Sequence, residues 1–228
     1  LVVPILYVGI PILLVFMQPD LGTSLVYIAI FVGMLFVSGI RLRLVRIIAT
    51  VGVLLMPLAW FVLKDYQKQR ILVFMNPDID PFGSGYHIIQ SKIAIGSGTI
   101  FGKGLFNGTQ SQLNFLPENH TDFIFSVIGE ELGFIGCIFV LILLFMLIYR
   151  SIKVAYSCND RFGMLLATGI GSMLCFEVLV NAGMTMGIMP VTGIPLPFIS
   201  YGVSALTTNM ISVGILLNIS MQRKKYIF

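Results

Sequence analysis

Six stretches of almost unbroken apolar sequence dominate the chain: Leu1–Met17, Thr23–Ile40, Ile47–Leu63, Leu132–Tyr149, Met164–Met189 and Val203–Met221. Each is long enough, or nearly so, to supply the ~20 helical residues that cross a hydrocarbon core. Their continuity predicts helices, because the strands of a membrane barrel alternate polar and apolar residues over ~10-residue pieces. The pattern predicts an all-α integral membrane protein, a polytopic helical bundle with six transmembrane helices in which residues 1–228 form a single membrane domain. The first stretch begins inside apolar sequence, with neither Met nor a basic leader. We therefore expect the chain to be the C-terminal part of a longer bundle.

Composition agrees with this: 57% of residues are hydrophobic and 11% charged, which excludes an ordinary soluble domain. Basic residues orient the bundle. Arg41, Arg43 and Arg46 follow the second stretch, Arg150, Lys153 and Arg161 follow the fourth, and Arg223, Lys224 and Lys225 follow the sixth. Threaded alternately, all of these fall on one side, which the positive-inside rule makes cytoplasmic. The net charge of +4 is thus mostly topological and does not point to nucleic acid. Cys137, Cys158 and Cys175 have no metal-ligand spacing and read as packing thiols.

The same threading places residues 64–122 outside the cytoplasmic membrane, as one long extracytoplasmic loop. A loop of this length is usually functional or disordered. The apolar groups Ile71-Leu-Val-Phe-Met75, Ile88-Ile89, Ile93-Ala-Ile95 and Leu113-Asn-Phe-Leu116 favour an ordered one. Its glycines, among them Gly83, Gly85, Gly96, Gly98, Gly102, Gly104 and Gly108, permit either re-entrant turns or close backbone approach to a bulky ligand. Gly98-Thr-Ile-Phe-Gly102-Lys-Gly104 lacks the spacing of a nucleotide phosphate loop and the Ser or Thr after its Lys. Tyr86–Ala94 has a partly helical pattern and is expected to lie in the membrane interface as a short amphipathic helix, turning Lys92 and Lys103 toward headgroups or a phosphorylated substrate.

Candidate chemistry concentrates where this loop enters the fourth stretch, in Leu116-Pro-Glu-Asn-His-Thr-Asp-Phe-Ile-Phe125 and Ile128-Gly-Glu-Glu-Leu-Gly133. Charge at a bilayer entrance is costly and so marks a functional candidate. Two accounts stand side by side. Thr121 is a natural helix N-cap and Asp122 a carboxylate for the first helical turn; alternatively Asp122 is a general base or cation ligand, with Glu118 and His120 assisting. Asp122, Ser126 and Glu130 are spaced to share a helix face, with Glu131 turned about 100° away. Further polar intrusions are Glu177 with Asn181, where a hydrogen bond from Glu177 to Asn209 or Thr208 is the simplest expectation. Two Pro/Gly-broken segments add to them: Gln18-Pro-Asp-Leu-Gly-Thr-Ser24, where Asp20 most simply caps a helix, and Gly187–Gly202, expected to fold back and line a cavity.

Taken together, these motifs resemble the SEDS family of peptidoglycan polymerases. The resemblance rests on Gln18-Pro-Asp-Leu-Gly-Thr-Ser24, Gly83-Ser-Gly85 with Gln90-Ser91, Ala94-Ile-Gly-Ser-Gly98, Gly102-Lys-Gly104, Leu116-Pro-Glu118, His120-Thr-Asp-Phe-Ile-Phe125, Gly129-Glu-Glu-Leu-Gly133 and Pro190–Gly202, which occur in family order over nearly the whole chain. Gly108-Thr-Gln-Ser-Gln112 is closer to the elongation branch than to the division or sporulation branches. The chain departs from the family at Thr99 and Val203, where glycines are usual, and at Glu177, where an uncharged amide is more common.

The resemblance implies a ten-helix fold, of which these stretches are the last six, and a glycosyltransferase of a bacterial inner membrane that polymerises lipid II during elongation. Asp122 matches the family's essential loop aspartate and is implied to be the general base toward the acceptor sugar. Around the substrate it implies Glu118, His120, Thr121, Gln90, Ser91, Gln110, Ser200 and Tyr201, with Glu130, Glu131, Asp20 and Gln18 in support. From charge and position, Lys92, Lys103 or a divalent cation are candidates to neutralise the pyrophosphate. A class B penicillin-binding protein is the implied partner. A flippase of a lipid-linked precursor is the alternative, and a non-catalytic scaffold a third; the external clustering of polar groups argues for surface chemistry.

Overall fold

The structure, a computed structural model, describes residues 2–18, 20–39, 50, 54, 61, 63–81, 83–113 and 115–222. In chain order the helices are α1 (Val2–Met17), α2 (Leu21–Val37), α3 (Asp65–Met75), α4 (Ser84–Ser97), the single turn α5 (Thr109–Gln112), α6 (Ile124–Tyr156), α7 (Arg161–Thr185) and α8 (Val203–Gln222), with a 3₁₀ turn at Pro77–Ile79. No strand occurs among the described residues. Three helices, α6, α7 and α8, are long and apolar enough to cross a membrane, and α1 and α2 are shorter apolar helices. The third apolar stretch, and the basic residues 41–46 and 223–225, lie almost wholly outside the described residues.

α7 is the centre of the bundle. α2 and α6 pack along it, α1 packs on α2, and α8 touches α6 and α7 more lightly. Between helices in lipid the hydrophobic effect gives little drive, so close van der Waals approach must supply it, and small residues allow that approach. A Cβ added at Gly33 of α2 would lie 1.9 Å from Ser172 Oγ of α7, and one at Gly171 of α7 would lie 2.5 Å from Ser151 Oγ of α6. The core continues through Ala167, Leu174 and Val178 of α7 into Leu196, beyond the end of that helix. α6 and α7 form an antiparallel hairpin, so Arg150, Lys153 and Arg161 share the end opposite to residues 64–122.

Within residues 64–122, α4 runs from Ser84 to Ser97, longer than the expected Tyr86–Ala94. It does not turn its apolar face to lipid alone: Ile88, Ser91 and Ala94 are buried against α6. Asp80 caps it, accepting from the backbone N–H of Gly83 and Ser84 at 2.9 and 3.1 Å. Asp20 likewise caps α2 through Thr23, as its position suggested. The expected cap of α6 is not formed. Its helix begins at Ile124, behind Phe123, with no side-chain cap, and Asp122 stands outside the first turn.

Gly98 and Gly102 of the loop pack against the backbone of α6. α6 is interrupted at Gly133 (φ 67°, ψ −163°), a region that only glycine occupies readily. A regular helix would bond Phe134 N–H to Glu130 C=O and Ile135 N–H to Glu131 C=O. Instead Phe134 and Ile135 donate to the carbonyls of Thr99 and Ile100 (3.0 and 3.2 Å), while Lys103 and Gly104 donate to those of Glu130 and Glu131 (3.0 Å each). Two helical bonds become four bonds to the loop. Gly98 sits so close that a Cβ there would meet Gly129 O at 1.8 Å. Thr99, at the position where the resembled family usually carries glycine, has φ +51°, which explains that preference.

Gly133→Ala should therefore destabilise the fold by at least ~2–3 kcal/mol, since the new Cβ is strained and also meets Gly102 N at 2.3 Å. Gly9→Ala in α1, where nothing lies within 4 Å, should be near neutral. Thermal unfolding of both variants in detergent makes the comparison.

Candidate functional site

Asp122 is held by its backbone and left free at its side chain. Glu118, in the left-handed region at φ +52°, turns the chain so that its carbonyl accepts from the N–H groups of Thr121 and Phe123. Three successive carbonyls are then gripped from outside the loop. Tyr201 N–H donates to His120 O (2.8 Å), Ser200 Oγ to Thr121 O (2.7 Å), and Asn181 Nδ2 to Asp122 O (2.9 Å). The same Asn181 amide donates to Ile194 O (2.8 Å), and Ser200 Oγ accepts from Leu196 N–H (2.7 Å). The Pro190–Gly202 segment thus folds back as expected, and its contact is with the Asp122 turn. Asn181 is 0% exposed, and Phe198 is held at φ +65°; such strain persists only where the surroundings impose it.

The Asp122 carboxyl itself makes no hydrogen bond among the described residues. It lies over Gly193, where a Cβ would come within 3.4 Å of Oδ2. Burial raises its pKa above the ordinary carboxylate value, the Glu118 charge raises it further, and Arg70 and His87 pull it partly back. Arg70 reaches in from α3 and donates to Thr192 O at 3.3 Å. His87, from α4, stacks on Phe123 with ring centroids 5.8 Å apart, and its Nδ1 is buried without a partner. Burial lowers the His87 pKa, and the charges of Glu118, Asp80 and Asp122 oppose that shift. The sequence reading passed over both residues. Arg70 carried no motif; His87 lay within one, three residues before Gln90-Ser91, and its position there was the available signal.

The other expected site residues divide by their surroundings. Thr121 Oγ1 donates to Glu118 Oε2 at 3.0 Å, and the His120 and Tyr201 side chains are exposed beside them. Ser91 is fully buried and joins three helices through Ser126 Oγ and Thr185 O, both at 2.6 Å. Gln90 is half-buried, and Lys92 is exposed with its alkyl chain against Gly187 and no ion pair among the described residues. Asp20 and Gln18 are exposed next to the same segment, since Gly22 abuts Thr192 O.

Glu130 does not join Asp122 on one face, because Asp122 is outside the helix. Fully buried, it accepts from Lys103 Nζ (2.9 Å), Thr109 Oγ1 (3.1 Å) and the backbone N–H groups of Gln110 (2.9 Å) and Ser111 (3.1 Å). Gln110 contributes its backbone, and its side-chain Oε1 is buried without a donor. Glu131 is buried and fastens the loop by its carbonyl. The expected bond from Glu177 to Asn209 or Thr208 is absent: Thr208 Oγ1 donates to Ser204 O, and Glu177 Oε2 and Asn209 Oδ1 are each buried without a partner. Among the described residues no group of three or more His, Cys, Asp or Glu is placed to hold a metal ion, so the divalent cation considered above has no ready-made protein cage here. Between α6 and α8 an apolar groove of about 380 Å³, lined by Val140, Leu144, Leu147, Phe198, Ile199 and Val213, opens beside the segment that grips Asp122.

Fold and site together define a polytopic helical membrane protein with a polar site built where a broken helix connection folds back onto a loop acid. The sequence pattern of the FtsW/RodA/SpoVE family, described as a cell cycle protein, matches residues 1–225, and the chain belongs to that bacterial family. It is 49% identical over 215 residues to the peptidoglycan glycosyltransferase MrdB of Escherichia coli K12, covering 94% of this chain and 58% of that protein. Among solved structures it resembles a chain of a peptidoglycan synthase complex studied for the coordination of polymerization and crosslinking (33% identity, TM-score 0.79, 97% of this chain and 62% of that one). It also resembles the rod shape determining protein RodA of Thermus thermophilus (31% identity, TM-score 0.64, 97% and 56%). The chain thus spans a little over half the length of these relatives.

An acid with a raised pKa favours the fold when protonated; that contribution is complete below its unfolded-state value and is lost as pH rises through the raised one. Asp122→Asn should consequently melt at the same or a higher temperature than the parent at neutral pH. Isotope-edited infrared titration should show the Asp122 carboxyl moving down in Glu118→Gln and up in Arg70→Met. For the buried pair, Glu130→Ala should cost ~3–5 kcal/mol by leaving Lys103 and the α5 N–H groups without their acceptor. Hydrogen exchange should show residues 103–112 loosening in Glu130→Ala and in Lys103→Met.

Proposed function

We propose that the chain forms the catalytic part of a peptidoglycan glycosyltransferase of a bacterial inner membrane, which polymerises lipid II during elongation and shape maintenance. The observation that carries this reading is the unpaired Asp122 carboxyl on a backbone fixed by three external donors. In the reaction, Asp122 takes the proton of the acceptor sugar hydroxyl as that oxygen attacks the anomeric carbon of the donor. The new C–O bond forms, the bond from that carbon to the pyrophosphate oxygen breaks, and undecaprenyl pyrophosphate leaves with the electron pair. Burial and the Glu118 charge raise the pKa of Asp122, making its ionised form a stronger base.

The remaining groups fall into consistent roles. Lys92 and Arg70 offer positive charge to the pyrophosphate, whereas the charge of Lys103 is already shared with Glu130. Glu118, His120, Thr121 and Tyr201 surround the sugar, and Gln90 and Gln110 border it. Ser91 and Ser200 act through the backbone they hold, as Glu130, Glu131, Asp20 and Gln18 act in support. The apolar groove between α6 and α8 suits a polyprenyl chain. The reading places six membrane helices here, with residues 64–122 and the site on the extracytoplasmic face, and a class B penicillin-binding protein as partner.

The test uses the full-length protein, purified with that partner, given labelled lipid II and resolved on a glycan-length gel. Asp122→Asn should lose polymer by ~10²–10⁴-fold while remaining folded. Equal polymer from both proteins would remove Asp122 from the chemistry. No polymer from either, with lipid II transport intact in vesicles, would favour the flippase.

A further inference from the structure

The turn at residues 99–106 presents its largest apolar side chains outward: Ile100 is 57% exposed, Phe101 80%, Leu105 62% and Phe106 79%. Thr99 and Phe106 adopt positive φ to hold this arrangement. A loop in water would gain by turning these groups inward, so an exposed cluster of this kind marks a contact surface.

Its depth identifies the contact. The apolar part of α6 ends at Tyr149, before Arg150 and Lys153. Counting back the ~20 residues that span a ~30 Å hydrocarbon core reaches about Glu130. The turn is bonded to α6 at Glu130, Glu131, Phe134 and Ile135, which is level with that boundary. It is also continuous with the exposed apolar surface of α6 at Phe134, Ile135, Ile138 and Phe139.

Part of the backbone of the turn is bonded within the protein, which lowers the cost of placing it beside lipid. The N–H groups of Gly102, Lys103, Gly104 and Asn107 and the carbonyls of Thr99 and Ile100 are all bonded within the protein. The only charge between residues 99 and 106 is Lys103, and its ammonium turns inward to the buried Glu130.

We propose that residues 99–106 form a membrane wedge, with Ile100, Phe101, Leu105 and Phe106 seated among the lipid chains of the leaflet at the Asp122 end of the bundle. The occupant of this surface is lipid, and the element that inserts is this turn rather than α4. The inference does not depend on the proposed reaction.

The test replaces Trp60, the one tryptophan of this chain, and any tryptophan elsewhere in the full-length protein by Phe, and then places a single tryptophan as Phe101→Trp, Leu105→Trp or Phe106→Trp. The proteins are reconstituted in nanodiscs of phosphatidylcholine, plain or brominated near the headgroup end of the acyl chains. A wedge at the interface predicts a loss of roughly half of the emission in brominated lipid, since interfacial segments sit ~5–10 Å deep, together with protection from aqueous iodide. Iodide quenching without bromine quenching would overturn the proposal by placing the turn in water. Protection from both quenchers would overturn it in favour of a protein contact. The three positions report separately, so failure of one variant to fold leaves the other two to decide.

Discussion

Backbone N–H and C=O groups that leave a helix inside an apolar bundle must find partners in the protein, because lipid supplies none. The architecture around Asp122 follows from that requirement. At Gly133 the freed groups of α6 are taken up by residues 99–104; at the mouth of α6 the carbonyls of residues 120–122 are taken up by Asn181, Ser200 and Tyr201. Each irregular segment is the hydrogen-bonding complement of another. Asn181 illustrates the economy: one buried amide donates to both Asp122 O and Ile194 O, so the acid turn and the returning segment are positioned by the same side chain.

Two acids near the start of α6 meet opposite fates. Glu130 receives four donors, one of them the Lys103 ammonium, and holds the loop to the helix; Asp122 receives no side-chain donor among the described residues and stays available for a proton. A carboxylate stabilised by several hydrogen bonds makes a poor base, whereas one that is desolvated and beside another carboxylate makes a better one. The positive groups divide the same way. Lys103 is committed to Glu130, and Lys92 is uncommitted among the described residues.

The buried Lys103–Glu130 pair also bears on where the site lies in the membrane. Without an internal acceptor, Lys103 would hold the Thr99–Phe106 turn in water. With it, the turn carries no uncompensated charge and its apolar side chains are free to meet lipid. Asp122 lies 11 residues ahead of Gly133, roughly 16–17 Å at 1.5 Å per residue if the chain were helical throughout. On the proposed function this sets Asp122 at the level of the headgroups, where a lipid-linked pyrophosphate and its sugars would change from apolar to aqueous surroundings.

Much of this was legible in the residues alone. Long apolar stretches dictate membrane helices through the cost of unpaired backbone in lipid, and α1, α2, α6, α7 and α8 lie close to the stretches that predicted them. Motif order was sufficient to single out Asp122, Glu118 and the Pro/Gly-broken segment, because residue identity and spacing survive in one dimension. What one dimension does not contain is which distant donors reach which acceptors. Arg70 and His87 reached the site across 52 and 35 residues of chain, Glu130 turned to the loop rather than to Asp122, and Gly98 and Gly102 of the loop proved to be fitted to the backbone of α6. Residue type suggested Thr121 as a cap, whereas the helix begins at Ile124, with the Thr121 carbonyl and those beside it bonded to distant donors. Sequence determined the elements and the candidate acid, through hydrophobic length and local chemistry. Only the tertiary structure decided which charges are neutralised and which remain free, because that depends on long-range pairing of buried polar groups.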